Sequence, residues 1–485
     1  MDNDLSKKPN RVFALDALRG FAILTMVLSG AIPFGSLPPW MYHAQVPPPE
    51  HVFDPKIAGI SWVDLVFPFF LFSMGAAIPL ALSRRVLDGF SKWRLSLAIL
   101  YRGLVLGLFA VYIQHIHPYS ISHAPTKLTW LFGLIGFLLL FPILTRLPKE
   151  WNLLVRFSIR TIGLLGAILL LSFIRFSDGT GFSWHRSDII IVILTNVAVF
   201  GSFIWLITPR NYLARLAFLG PLLAFRLSHD LGGWMHWVWA YSPKWLNWVY
   251  HFGCLQYLFI VIPGTIVGDM IYQWMKSPNP SSNSESTQWS IGRYIDLVLL
   301  TVGFNLLLLI GLFSRMVWQT TLISGLFILL GLILIRSPNT ATEKLIKQLF
   351  FWGAYWLVLG LLFELYEGGI KKDPNTLSYF FDTSGLAIFL LIAFIIIIDV
   401  WRKKWFNLLV YNGQNPMIAY CSNGNFLMPL FFLTNFIPVL DAIENFFKRL
   451  IVPSPWIGFC RGFLITLLIA YIVSIFSKKK IFWRT

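Results

Sequence analysis

Three residues near the start of the sequence have types and spacing suited to proton chemistry. His43 and His51 lie in "WMYHAQVPPPEHVFDPKIAGISWVDLVFPFFLF" (40–72), and Asp64 sits in the first turn of the apolar run that ends it. Imidazole exchanges protons near neutral pH, and a carboxylate that orients it turns it into a working base. Asp64 also stands where a helix start favours a cap and a negative charge. Orienting one of the two histidines and capping the helix are compatible roles. A carboxylate here needs some such reason, because one near the bilayer centre costs about 2.5–3.5 kcal/mol on insertion scales.

A second group is cationic. In "NRVFALDALRGFAIL" (10–24), Arg11, Asp16 and Arg19 enter an apolar segment, with Asp16 and Arg19 on one helical face. Arg84, Arg85, Arg94 and Arg102 add charge on the same side of the membrane. Guanidinium groups grip phosphate in bidentate fashion, so a polyanion fits this end, as does anionic lipid; an ion pair at the membrane surface is the plain alternative. Opposite lies "GGWMHWVWAYSPKWLNWVYHFG" (232–253), where Trp234 and Trp237 lead a tryptophan-rich run. Such residues form interfacial belts or stack on a sugar. "FELYEGGIKKDPNTLSYFFDTSG" (363–385) carries Lys372 in a charged outer turn. "YNGQNPMIAYCSNGN" (411–425) buries Asn415 and Tyr420 in an apolar region, where polar groups face a bundle interior or a watery cavity. The His115/His117 pair has no acidic or cysteine partner at ligand spacing, and Cys254, Cys421 and Cys460 are scattered. No metal and no redox centre is expected.

The elements that must position these groups are membrane helices. Hydrophobic residues make up 56% of the 485 and charged residues 13%, well below the roughly 25% charged of soluble domains. Apolar stretches of spanning length fall at 11–32, 60–83, 96–116, 128–145, 152–174, 188–208, 211–226, 252–275, 294–313, 317–336, 348–368, 378–401, 406–434 and 455–476. The expected fold is all-α, a polytopic integral membrane bundle of about 14 transmembrane helices (range 11–14), with both termini cytoplasmic. With that orientation, 26 of the 39 basic residues fall in inside segments, which is the positive-inside bias. The net charge of +17 therefore reports topology, and nucleic acid is not an expected partner. All nine histidines fall outside the inside loops. The chain reads as one membrane-embedded domain, 1–485, with a polar tail through residues 10–11 and a flexible Pro/Ser/Asn-rich linker at 276–290.

Five ordered motifs carry a resemblance. "RVFALDALRGFAILTM", "ISWVDLVFPFFLFSMGAAIPLAL", "IKKDPNTLSY", "NGQNPMIAY" and the terminal "KKKIFWRT" resemble the heparan-α-glucosaminide N-acetyltransferase family of transmembrane acyltransferases, in a bacterial-type relative. The likeness runs from residue 11 to 485 and is thin between about 115 and 250. It implies transfer of acetyl from cytoplasmic acetyl-CoA to a sugar amine or hydroxyl across the membrane. It implies His43, in "YHAQ", as base or acetyl carrier, with His51 kept as a rival by the proline-rich insert before Asp64. Arg11, Arg19 and Arg102, with Asp16 among them in the cofactor-binding set, would form the basic rim that holds the CoA phosphates, and Lys372, Asn415 and Tyr420 match family positions on the acceptor side. Ser29–Gly30 stands where the family has an asparagine. The expected partners are the CoA thioester, an extracytoplasmic amino sugar or glycan, membrane lipids and, in some arrangements, a second copy of the chain. The expected location is a bacterial inner membrane. A transporter of a sugar, lipid-linked or anionic solute, without bond chemistry, is the alternative, since intramembrane charges and broken helices are also its marks.

Overall fold

A backbone crossing lipid must satisfy its hydrogen bonds within its own segment, and this sequence answers with helices. The computed structural model describes residues 11–35, 37–148, 150–277, 288–450 and 456–484. The expected N-terminal tail and most of the 276–290 linker lie outside the described residues. The first half contains α1 (Phe13–Ala31), α2 (Trp62–Leu87), α3 (Lys92–Ile116), α4 (Pro118–Ile121), α5 (Lys127–Leu144), α6 (Leu153–Phe173), α7 (Ile189–Ile207), α8 (Tyr212–Ala217), α9 (Leu219–Ser228), α10 (Gly233–Trp239) and α11 (Leu258–Lys276). The second half contains α12 (Ile291–Phe313), α13 (Val317–Leu334), α14 (Ala341–Phe363), α15 (Leu377–Phe394), α16 (Asn407–Gln414), α17 (Pro416–Ser422), α18 (Met428–Leu433), α19 (Ile437–Leu450) and α20 (Trp456–Lys478).

Twelve of the helices are long and apolar enough to cross a membrane, or thirteen if a bent pair counts as one span. The expected fourteen exceeds these because two of the segments are interrupted. In 211–226 the helix breaks at α8/α9, since Pro221 has no N–H to give the Ala217 carbonyl four residues before it. In 406–434, Pro416 follows Asn415, which is held at φ −129°, ψ 53°, and a wide π turn at 423–427 interrupts the helix again. Both segments still run from one end of the bundle to the other. Arg215 on α8 pairs with Asp269 on α11, whereas Arg226 on α9 bonds Glu367 and the Asn375 carbonyl beyond the opposite end of α14. One boundary also moves: α14 begins at Ala341 rather than 348 because Thr340 and Glu343 form a capping box.

Helices α2, α11 and α15 make the buried centre, while α6 and α13 are only 17% buried and face outward. Arg11 and Arg484, the described ends of the chain, lie within electrostatic reach of each other at one end of the bundle. That end is rich in arginine. The other carries His43.

One contact fixes the basic end. A Cβ on Gly20 of α1 would stand 1.8 Å from the Leu409 carbonyl oxygen, and one on Gly413 would stand 1.8 Å from the Asp16 carbonyl oxygen. The backbones of α1 and α16 therefore touch, as small residues allow in membranes. Gly20→Val must push them apart, at an expected cost of about 1–3 kcal/mol. A lowered midpoint in detergent thermal unfolding would register it. Gly30→Val, with nothing within 4 Å of the new Cβ, should leave the midpoint near wild type.

Candidate functional site

Ser61 starts α2 as its N-cap, and Asp64, three residues on, folds back on it. Asp64 Oδ2 accepts from the backbone N–H of Ser61 (2.9 Å) and of Ala44 (3.2 Å), with the Ser61 hydroxyl 3.3 Å away. Its other oxygen accepts from His43 Nδ1 at 2.7 Å. The Tyr379 hydroxyl, from α15, donates to the Asp64 backbone carbonyl at 2.8 Å. Asp64 is fully buried, whereas the His43 side chain keeps 39% of its surface open. The two expected roles of Asp64 coincide in one carboxylate.

Lys372 completes this cluster from the other half of the chain. Its Nζ lies 3.2 Å from His43 Nδ1 and 3.4 Å from Nε2. Lys372 Nζ thus stands nearly equidistant from the two ring nitrogens, over the imidazole rather than in line with either lone pair, and with the Nδ1 proton given to Asp64 the Nε2 lone pair is the one available to take a proton. The turn holding Lys372 is tightly tied. Glu364 accepts from the Ile370 N–H and pairs with Arg315, Gly59 N–H donates to the Ile370 carbonyl, and Glu367 accepts from the Leu377 N–H.

At the basic end, Asp16 pairs with Arg11 and lies 3.6 Å from Arg19. Arg19 also donates to the Gly413 carbonyl (3.3 Å) and the Ser73 carbonyl (3.2 Å). Arg102 and Arg85 line a cavity of about 300 Å³ with Tyr101 and Ser202, between α2, α3 and α7. The extended C-terminal segment, bridged to residue 145, brings Arg484 beside Arg146. Arg484 N–H donates to the Leu144 carbonyl, Arg146 N–H to the Phe482 carbonyl, and the Asn415 amide to the Ile481 carbonyl at 2.7 Å. Burial, then repulsion from Arg11, Arg19 and Arg146, holds the Arg484 guanidinium below its ordinary pKa, with Asp16 opposing. This excess of like charge at short range favours a bound anion.

The two ends are joined along two helix faces. On α1, Arg19, Ile23 and Met26 follow one another at helical spacing, as do Asp64, Phe67 and Phe70 on α2. Between them is a small apolar cavity of about 30 Å³, walled also by Leu106, Ile190 and Tyr420. From Asp64 to Ser73 the rise is nine helical residues, or about 14 Å.

Other expected site residues lie elsewhere. His51 does not bond Asp64; its ring sits between Phe34 and Tyr42, with Nε2 at 3.3 Å from Gly35 N. Asn415 is buried at the basic end, clasping the C-terminal strand, and does not reach the acceptor side. Tyr420 donates to Asp188 at 2.6 Å on the cavity wall. Trp234 and Trp237 are exposed on α10, against Phe225 and Tyr241 rather than His43. Among the described residues no three His, Cys, Asp or Glu side chains gather as a metal site requires. His115 is occupied, donating from Nδ1 to the Val111 carbonyl and accepting at Nε2 from Ser183 N–H.

Tyr379, Arg146 and Arg484 were not among the expected site residues. Arg484 stands in a quoted motif, but nothing local in the sequence pairs it with residue 144.

Asp64→Ala removes a cap as well as a partner of His43. It should lower stability by about 1–2 kcal/mol, whereas His43→Ala should cost less; thermal unfolding of the two variants in detergent checks the order. Residues 11–271 match the family described as Domain of unknown function (DUF5009). No curated protein matches the sequence. The match covers more than half the chain and includes His43, Asp64, Arg19 and Arg102, so the chain belongs to the DUF5009 family.

Proposed function

We propose that the protein is a transmembrane acyltransferase of the heparan-α-glucosaminide N-acetyltransferase type, moving acetyl from cytoplasmic acetyl-CoA to an amino or hydroxyl group of an extracytoplasmic sugar. One observation carries this reading. A half-open imidazole bonded to a buried carboxylate stands at one end of a line of residues whose other end is a cluster of arginines. With the arginine end cytoplasmic, as the positive-inside bias has it, a bacterial inner membrane suits the orientation.

The residues fit the co-substrate. Arg19, Arg102, Arg146 and Arg484 converge from four parts of the chain with Asp16 as the acidic residue among them, and the phosphates of CoA would supply the missing negative charge. The thioester arm, thinner than the nucleotide, would follow the α1 and α2 faces toward His43. There Asp64 holds the ring through Nδ1 and Nε2 faces the reacting groups. As the acceptor nitrogen or oxygen bonds to the acetyl carbonyl carbon, its proton passes to Nε2. The C–S bond breaks, and the thiolate leaves and takes up a proton. In the stepwise variant Nε2 itself first accepts the acetyl group and then yields it to the acceptor. In either case Lys372 places a positive charge where the carbonyl oxygen becomes negative.

The interrupted helices α8/α9 and α16/α17 favour a second reading, a transporter without bond chemistry. Calorimetric titration with CoA separates the two, because a sugar transporter has no reason to bind it.

In proteoliposomes supplied with acetyl-CoA, His43→Ala should reduce acetyl transfer about 10²- to 10⁴-fold, and His51→Ala should leave it near wild type. Full activity in His43→Ala would remove the mechanism. Arg19→Ala or Arg484→Ala should weaken CoA binding about 10- to 100-fold by titration, the loss of one charge-assisted contact. Unchanged affinity in both would remove the arginine end from the site.

A further inference from the structure

Lys372 is a cation held in place by its backbone. Among the described residues its ammonium bonds only the His43 ring, and a flexible four-carbon stem does little to fix a lysine by itself. Its place over the imidazole therefore depends on where the turn between α14 and α15 puts residue 372. Before the lysine, that turn is tied to the His43 loop at Ile370. The Ile370 carbonyl accepts from Gly59 N–H at 2.7 Å, and the Gly59 carbonyl accepts from the Gln45 amide at 3.1 Å, two residues after His43. The Ile370 N–H donates to Glu364, which pairs with Arg315.

After the lysine, the turn is held by Arg226, near the end of α9. One guanidinium nitrogen donates to Glu367 Oε1 at 2.6 Å and also, at 2.6 Å, to the carbonyl of Asn375, three residues past Lys372. Glu367 passes the restraint on, since its other oxygen accepts at 2.8 Å from the N–H of Leu377, the first residue of α15. The Asn375 side chain is held separately, donating to the Tyr257 hydroxyl at 2.9 Å. The Arg226 and Glu367 side chains are 11% and 18% exposed, so the pair is screened little by water. Glu367 itself sits at φ 60°, ψ 21°, a left-handed backbone that a residue other than glycine keeps only where its surroundings enforce it. The bonds of Arg226 thus go to the turn on both sides of Lys372, and not to His43 or Asp64.

We propose that Arg226 is a positioning residue for the transfer: by clasping Glu367 and Asn375 it closes the turn that sets the Lys372 ammonium over the His43 ring. This deepens the acetyl-transfer reading and rests on it, adding a residue that acts only through Lys372. The consequence is kinetic. A charge that stabilises a developing oxyanion works because it is in place before the reaction, and a displacement of about 1 Å caused from outside the site can cost about 10²-fold. Loss of Arg226 lowers kcat and leaves substrate binding almost alone.

The test uses the full-length protein in proteoliposomes with acetyl-CoA and glucosamine. Arg226→Ala should lower kcat about 10- to 100-fold, with KM for either substrate within about threefold of wild type. Arg226→Lys should recover most of the loss, because one ammonium can make both bonds that one guanidinium nitrogen makes now. Lys372→Met should be at least as slow as Arg226→Ala, and combining the two should slow transfer by less than about twofold more. Effects that multiply instead would mean that Arg226 acts through the fold at large, and they overturn the proposal. Arg226→Ala also strands the Glu367 carboxylate, so Arg226→Met with Glu367→Gln serves as a second variant that removes both charges and still frees Asn375. It should be as slow as Arg226→Ala with a thermal midpoint near wild type; wild-type kcat in it overturns the proposal. A readout apart from turnover is modification by trinitrobenzenesulfonate in detergent, followed by mass spectrometry. Lys372 should react about tenfold faster in both Arg226 variants than in wild type, while the exposed Lys56 should react at an unchanged rate. Equal Lys372 reactivity in wild type and variants overturns the positioning role whatever reaction the protein performs. Absence of transfer by wild type removes the acetyl-transfer reading and this inference with it, even where Lys372 reactivity rises.

Discussion

A carboxylate with no exposed surface at the start of a membrane helix must be matched by donors or it will not stay charged. Asp64 is matched four ways, by two backbone N–H groups, a serine hydroxyl and the His43 ring. That requirement shapes the surroundings. The 43–61 loop folds back so that Ala44 and Ser61 can both donate to the same oxygen, and Tyr379 reaches across from α15 to the peptide beneath. The imidazole is then held by the same group that starts the helix. Its orientation is therefore bound to the integrity of the α2 start.

The basic end obeys the opposite rule. There positive charges outnumber Asp16, and what keeps them together is backbone geometry. The contact of Gly20 with Leu409 and of Gly413 with Asp16 brings the α16 carbonyls within reach of Arg19, and the Asn415 amide pins the strand that presents Arg484. Between the two ends the lining is apolar.

Much of this was legible in the sequence. Composition and apolar run length gave the polytopic helical class, and the Ser61–Asp64 spacing gave the cap. The histidines and most of the arginines sorted to opposite ends by loop position alone, with Arg226 and Arg315 on the histidine side. What spacing could not supply was contact between distant segments. His51 is as close to Asp64 in sequence as His43 is in kind, and the loop conformation that separates them depends on stacking with Phe34 and Tyr42. The family resemblance alone puts Asn415 on the acceptor side; its partners are sixty-odd residues downstream at the basic end. The α8/α9 break was written in Pro221, but a proline within an apolar run kinks some helices and ends others.

The strand of residues 481–484 carries a consequence for biogenesis. It is synthesised after every helix described here, yet it supplies Arg484 and the carbonyls that occupy Arg146 and Asn415. The segment around residue 146 and Asn415, both made earlier, therefore lack these partners until residues 481–484 leave the ribosome, and the basic end is the last part of the described bundle to close.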